Sequence, residues 1–111
     1  MINRVVIQGR VCNDIELRQT PGGTMVTTFA VAVDRYAKAG EERKADFFDV
    51  VCWGKTAEFA SRYFSKGQML AIDGRLQARI WEDKDGNKRK SVEIVADTLH
   101  FCGSKSETAE P

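Results

Sequence analysis

The chain has 111 residues, 42% hydrophobic and 30% charged, an ordinary composition for one globular domain with a single core. No apolar run approaches the ~18 residues that a membrane span requires, and the N-terminus lacks the apolar segment of a signal peptide. A net charge of +1 gives no whole-molecule pull toward polyanions, and three scattered cysteines with one histidine suit neither a disulfide framework nor a zinc site. Cys12, Cys52 and Cys102 sit among apolar residues and read as small buried hydrophobes of a reducing, cytoplasmic protein. No cofactor is expected.

From the N-terminus, residues 2–12 read as a strand, with Val5, Ile7 and Val11 alternating with Arg4, Val6, Gln8 and Arg10. Gly9 within it suggests a bulge or a close backbone approach. Thr20-Pro21-Gly22-Gly23 is a turn signal, since proline presets φ and glycine admits positive φ. A second strand is expected from Thr24 to about Tyr36, with Phe29, Val31 and Val33 opposite Thr28, Ala30, Ala32, Asp34 and Tyr36. Residues 37–45 are polar and contain a glycine, as an exposed, mobile hairpin loop does. Asp46–Trp53 forms a third strand that sets Phe47, Asp49, Val51 and Trp53 against Phe48, Val50 and Cys52.

The period then changes. Thr56 is a suitable N-cap, and Ala57, Phe59, Ala60, Tyr63 and Phe64 follow helical spacing until Lys66-Gly67 stops it. A long fourth strand follows, from Gln68 to Trp81. One face carries Leu70, Ile72, Gly74, Leu76, Ala78 and Ile80 and is expected in the core; the other carries Asp73, Arg75, Gln77, Arg79 and Trp81. A turn at Asp85-Gly86-Asn87 leads into a last strand from Lys88 to about Phe101, with Val92 and Ile94 on its apolar side. Phe29, Phe59, Phe64 and Phe101 are assigned to the core, and residues 103–111 to a short disordered stub beyond a 1–102 domain. The order β-β-β-α-β-β, with the helix between strands three and four, is that of an all-β, five-stranded Greek-key barrel, the OB-fold.

Charge is distributed unevenly along this frame. Residues 75–90 hold six bases against three acids, so the positive charge concentrates on the last hairpin. Single-stranded nucleic acid is held by a positive groove along its phosphates and by aromatic rings that stack on unpaired bases. Tyr36, Phe47, Trp53 and Trp81 stand at strand positions able to serve as those rings. Trp81 ends an arginine-bearing face where packing has little use for an indole; for Trp53, which shares a face with Val51, period two alone does not separate burial from exposure. Arg75, Arg79, Lys55, and Lys88 or Lys90 could supply charge, with Arg4 and Arg10 on the polar side of the first strand.

Over residues 1–102 the chain resembles the bacterial-type single-stranded DNA-binding proteins. The matching pieces are Ile2-Asn3-Arg4-Val5, Gly9-Arg10, Glu16-Leu17-Arg18 before Thr-Pro-Gly-Gly, Phe47 to Lys55 ending Trp-Gly-Lys, Ala57-Glu58, Lys66-Gly67, Asp73-Gly74-Arg75-Leu76, and Arg79 with Trp81. The resemblance implies an OB-fold that assembles as a homotetramer, or at least a dimer, and wraps single-stranded DNA in replication, recombination and repair. It also implies that Tyr36, Phe47, Trp53 and Trp81 are the stacking positions. Two departures stand out: Ile15 where a proline is common, and Ile80 where a lysine is often found. Family members usually continue into a long tail with an acidic tip, whereas this sequence stops at Glu110-Pro111, so recruitment of replication and repair proteins is expected only with such a tail.

Two other classes of protein compete with this reading. A barrel that mainly binds protein would share the fold but lack the full set of exposed rings. An enzyme would require a nucleophile with its base, metal-ligand spacing or a phosphate-binding glycine loop, and none is evident in the sequence.

Overall fold

Alternating β-branched and aromatic residues build a sheet that closes on itself. The computed structural model describes residues 1–102; the expected stub at 103–111 lies outside the described residues. The elements are β1 (Val5–Val11), β2 (Arg18–Gln19), β3 (Met25–Asp34), β4 (Ala45–Trp53), α1 (Gly54–Tyr63), β5 (Met69–Glu82) and β6 (Lys88–Phe101). Antiparallel pairs join β1 to β5, β5 to β6 and β4 to β3, while β4 and β6 run parallel. The ring closes where β3 returns to β1 through Arg10↔Ala32 and Val11↔Val31. Closure removes the unpaired edges that an open sheet would present. The two-residue β2, not foreseen from the sequence, pairs with Met25 and Val26 across the Thr20–Gly23 turn.

The inward faces form the core. Val11, Phe29, Val31, Val50, Cys52, Leu70, Ile72, Ile94, Ala96 and Leu99 are buried. Burying a side chain such as Phe29 or Leu70 contributes about 1.5–3 kcal/mol. Helix α1 covers part of this core through Ala57 and Ala60, both fully buried, with Phe64 just beyond its end. Alanine at both positions lets the helix backbone approach the barrel closely. Burial also raises the Cys52 thiol to about 12, so it behaves as a hydrophobe.

Glycine is required at two close approaches. A Cβ on Gly9 would stand 2.9 Å from the Ala32 carbonyl oxygen, where β1 meets β3. On Gly74 it would collide with the Val95 carbonyl oxygen. Gly74 adjoins a bulge: Asp73 pairs Thr98 and Gly74 pairs Ala96, leaving Asp97 as the extra residue. The inward positions of β6 accordingly switch parity, from Ile94 and Ala96 to Leu99.

Several expectations change. Leu76, Ala78 and Ile80 are exposed rather than core, because β5 and β6 run past the barrel as a free two-stranded hairpin with nothing against that face. Asn3 clamps the root of this hairpin: its Nδ2 donates to the Leu76 carbonyl at 2.9 Å and its Oδ1 accepts from the Leu76 N–H at 3.0 Å. Thr56 is not the N-cap. Gly54, at φ +56°, turns the chain into the helix earlier, and the Thr56 hydroxyl instead donates to the Asp97 carbonyl at 3.3 Å. Phe101 is half-exposed at the end of β6, and Phe59 is only partly buried. β3 ends at Asp34, so Tyr36 lies in the following loop.

Candidate nucleic-acid interface

Residues paired across strands point to the same side of a sheet, so the registers alone map the outer surface. Arg10 pairs Ala32, which pairs Phe47, placing an arginine about 10 Å from a phenylalanine across a small side chain. Further along, Thr28 pairs Val51, Val51 pairs Val95 and Val95 pairs Arg75. Val26 pairs Trp53 at the far end of β4. Phe47 and Trp53 thus bracket the outer face of β4, separated by roughly 20 Å at ~3.3 Å per residue. From Arg75 the same face continues out along the hairpin through Gln77 and Arg79 to Trp81.

The rings are uncovered. Exposure is 90% at Tyr36, 69% at Phe47, 48% at Trp53 and 43% at Trp81. Trp53 follows the fully buried Cys52 on β4 and faces the other way, which resolves it as an outer residue. The Arg79 guanidinium lies over the Trp81 ring, 5.4 Å from its centroid, so charge and ring reach solvent together. At the base of the Tyr36 loop, Arg35 donates two hydrogen bonds to Asp46, at 2.9 and 2.8 Å, and its N–H donates to the Lys44 carbonyl at 2.8 Å. The Arg35 hydrogen bonds hold the Asp46 carboxyl below its ordinary value.

The cations divide. Lys55 is exposed and makes no ion pair among the described residues. Arg10 donates to the Gly67 carbonyl at 2.7 Å and Arg75 reaches Asp97 at 3.4 Å. Arg4 pairs with Asp73 at 2.6 Å, where the chain enters β1 beside β5. Lys88 and Lys90 pair with Glu82 and Ile80, so they lie on the hairpin face opposite Trp81. Arg89, paired with Trp81, occupies the aromatic face instead and donates to Asp83 at 2.9 Å. Sequence reading missed Arg89 because its face depends on the register across the turn; counting back from Asp85-Gly86-Asn87 could have found it. One acid, Asp49, stands between Phe47 and Val51. Among the described residues no group of three or more His, Cys, Asp or Glu is arranged to hold a metal ion.

A closed barrel with its helix between β4 and β5, bearing exposed rings and arginines outside, belongs to the OB-fold class of oligonucleotide-binding modules. Within that class, the sequence profile described as "Single-strand binding protein family" matches residues 2–102. The chain belongs to that family. It is 50% identical over 101 residues to the single-stranded DNA-binding protein of Clostridium tetani, covering 90% of this chain and 70% of that one. It is 47% identical over 107 residues to single-stranded DNA-binding protein 2 of Staphylococcus aureus, covering 96% and 76%. With single-stranded DNA-binding protein 2 of Listeria monocytogenes it shares 42% over 111 residues, covering 99% and 69%. These relatives are named as binding proteins, not as enzymes.

Proposed function

We propose that the protein binds single-stranded DNA without regard to sequence and shields it during replication, recombination and repair, as a homotetramer around which the strand wraps. Four large rings standing in solvent beside arginines carry this reading. Phe47, Trp53 and Trp81 stack bases along β4 and the hairpin, and Tyr36 does so from its loop. Arg10, Arg75, Arg79 and Lys55 meet phosphates, with Arg89 added on the Trp81 face. Every base has a π-face, so stacking is indifferent to sequence, and phosphate contact releases counterions with a salt slope of about −0.7 per phosphate on a single strand. Arg4 meets phosphate beside Asp73, while Lys88 and Lys90, on the hairpin face opposite Trp81, act at longer range. No helix among the described residues is long and apolar enough to cross a membrane, and we place the protein in the cytoplasm with the nucleoid.

Intrinsic fluorescence tests this, because Trp53 and Trp81 are the two tryptophans. Titration with oligo-dT of increasing length should quench both, strongly at low salt and less at high salt. Saturation at a length beyond what one barrel covers supports wrapping. No quenching at low salt overturns the reading.

A further inference from the structure

Helix α1, the residue after it and the end of β6 together hold a second group of rings that the proposed DNA face does not use. Phe59, Tyr63, Phe64 and Phe101 pack on one another, with centroids 5.0 Å apart for Phe59–Tyr63, 5.9 Å for Phe59–Phe101 and 6.2 Å for Tyr63–Phe101. Phe64 is buried, but Tyr63 and Phe101 remain about half-exposed. Lys55, Glu58, Phe59, Arg62 and Tyr63 line one shallow cleft along the helix, at the spacing that sets residues on a single face. Lys55 and Phe59 also line a neighbouring cleft with Asp97 and Thr98. The two clefts share Lys55 and Phe59, and Asp97, in the second of them, pairs with Arg75 at the hairpin root. A base in the last helical turn suits the helix dipole, which accounts for Arg62 but not for half-exposed rings beside it.

Resting on the single-stranded DNA reading, we propose that this patch extends the DNA path: Tyr63 offers a further stacking platform, and Arg62 with Lys55 meets the adjoining phosphates. The occupant is argued from charge and continuity. Neither Lys55 nor Arg62 has an ion pair among the described residues, Lys55 lies two residues beyond Trp53 in the chain, and Asp97 of the adjoining cleft pairs with Arg75. Tyr63 is held by two ring neighbours, so little side-chain freedom is lost when a base settles on it. Glu58 is the one acid in the helix cleft and limits how closely a phosphate can approach there.

Arg62→Glu and Tyr63→Leu test the proposal; leucine retains apolar packing while removing the ring. Each is titrated with an oligo-dT of about 8 nucleotides, within the span of one OB barrel, and with one of about 40. Both variants should bind the short strand as wild type does and the long strand about fivefold or more weakly, and Arg62→Glu should flatten the long-strand salt slope by about 1. Unchanged affinity for the long strand overturns the proposal, as does an equal loss at both lengths. A changed sedimentation mass with unaltered DNA binding also overturns it and makes the patch a contact between copies. If wild type binds neither strand, the single-stranded DNA reading itself has failed.

Discussion

Replacing Trp81 by alanine separates stacking from charge. The ring is 43% exposed on a hairpin that extends beyond the barrel, so its removal leaves the core untouched and should shift stability by no more than about 0.5 kcal/mol. Its effect on DNA should be much larger. Base–aromatic stacking is worth about 1–3 kcal/mol per base, a loss of roughly 5- to 150-fold in affinity. The Arg79 guanidinium, 5.4 Å from the ring centroid, loses its platform as well, which moves the expected loss toward the upper part of that range. No charge is removed, so the slope of log affinity against log salt should stay within error of wild type. The assay is oligo-dT titration at several salt concentrations, read from Trp53 quenching, with urea unfolding as the check on folding. Arg79→Ala is the complementary variant and should lower the slope by about 1. Unchanged affinity in Trp81→Ala would refute the stacking role. A changed slope would show that the ring acts mainly by positioning a cation.

Gly74→Ala should destabilise the fold by at least about 1–3 kcal/mol, because its Cβ would meet the Val95 carbonyl; a wild-type urea midpoint would show that the bulge can shift freely. Asp49→Asn removes the acid between Phe47 and Val51 and should tighten DNA binding at low salt, with the gain fading as salt screens it; equal affinity at low salt would place the strand elsewhere. Asp46 and Asp83 are both held below the ordinary carboxylate value, Asp46 chiefly by hydrogen bonds from Arg35 and Asp83 chiefly by the Asn87 N–H. Their stabilisation is complete above that ordinary value and is lost as pH falls through the lowered ones, so the urea midpoint should drop in that acid window. Asp46→Asn should flatten part of the drop; an identical pH profile in the variant would refute the assignment.

The outward aim of Trp81 was legible because period two is a local property of its strand and sets it on the arginine face, whereas for Phe47 and Trp53 periodicity fixed only which residues share a face, and the family resemblance favoured exposure. The Thr20–Gly23 and Asp85–Asn87 turns, and the place of the helix, were legible because their signals are likewise local. Tyr36 was legible as a candidate, though its position past the strand end was not. Burial was misread wherever it depended on a distant partner. Leu76 and Ile80 continue the inward face of Leu70 and Ile72, yet they are solvated because the barrel ends beneath them. Lys88, Arg89 and Lys90 are interchangeable in composition, and only the register across the hairpin sets Arg89 beside Trp81 and its neighbours behind. Thr56 had the chemistry of a cap, but the positive φ of Gly54 started the helix first. The sequence alone therefore determined the kinds of element, their order and which residues of each strand share a face. Tertiary structure decided which outward groups share one surface, because ring closure and the Asp97 bulge set the registers between strands far apart in the chain.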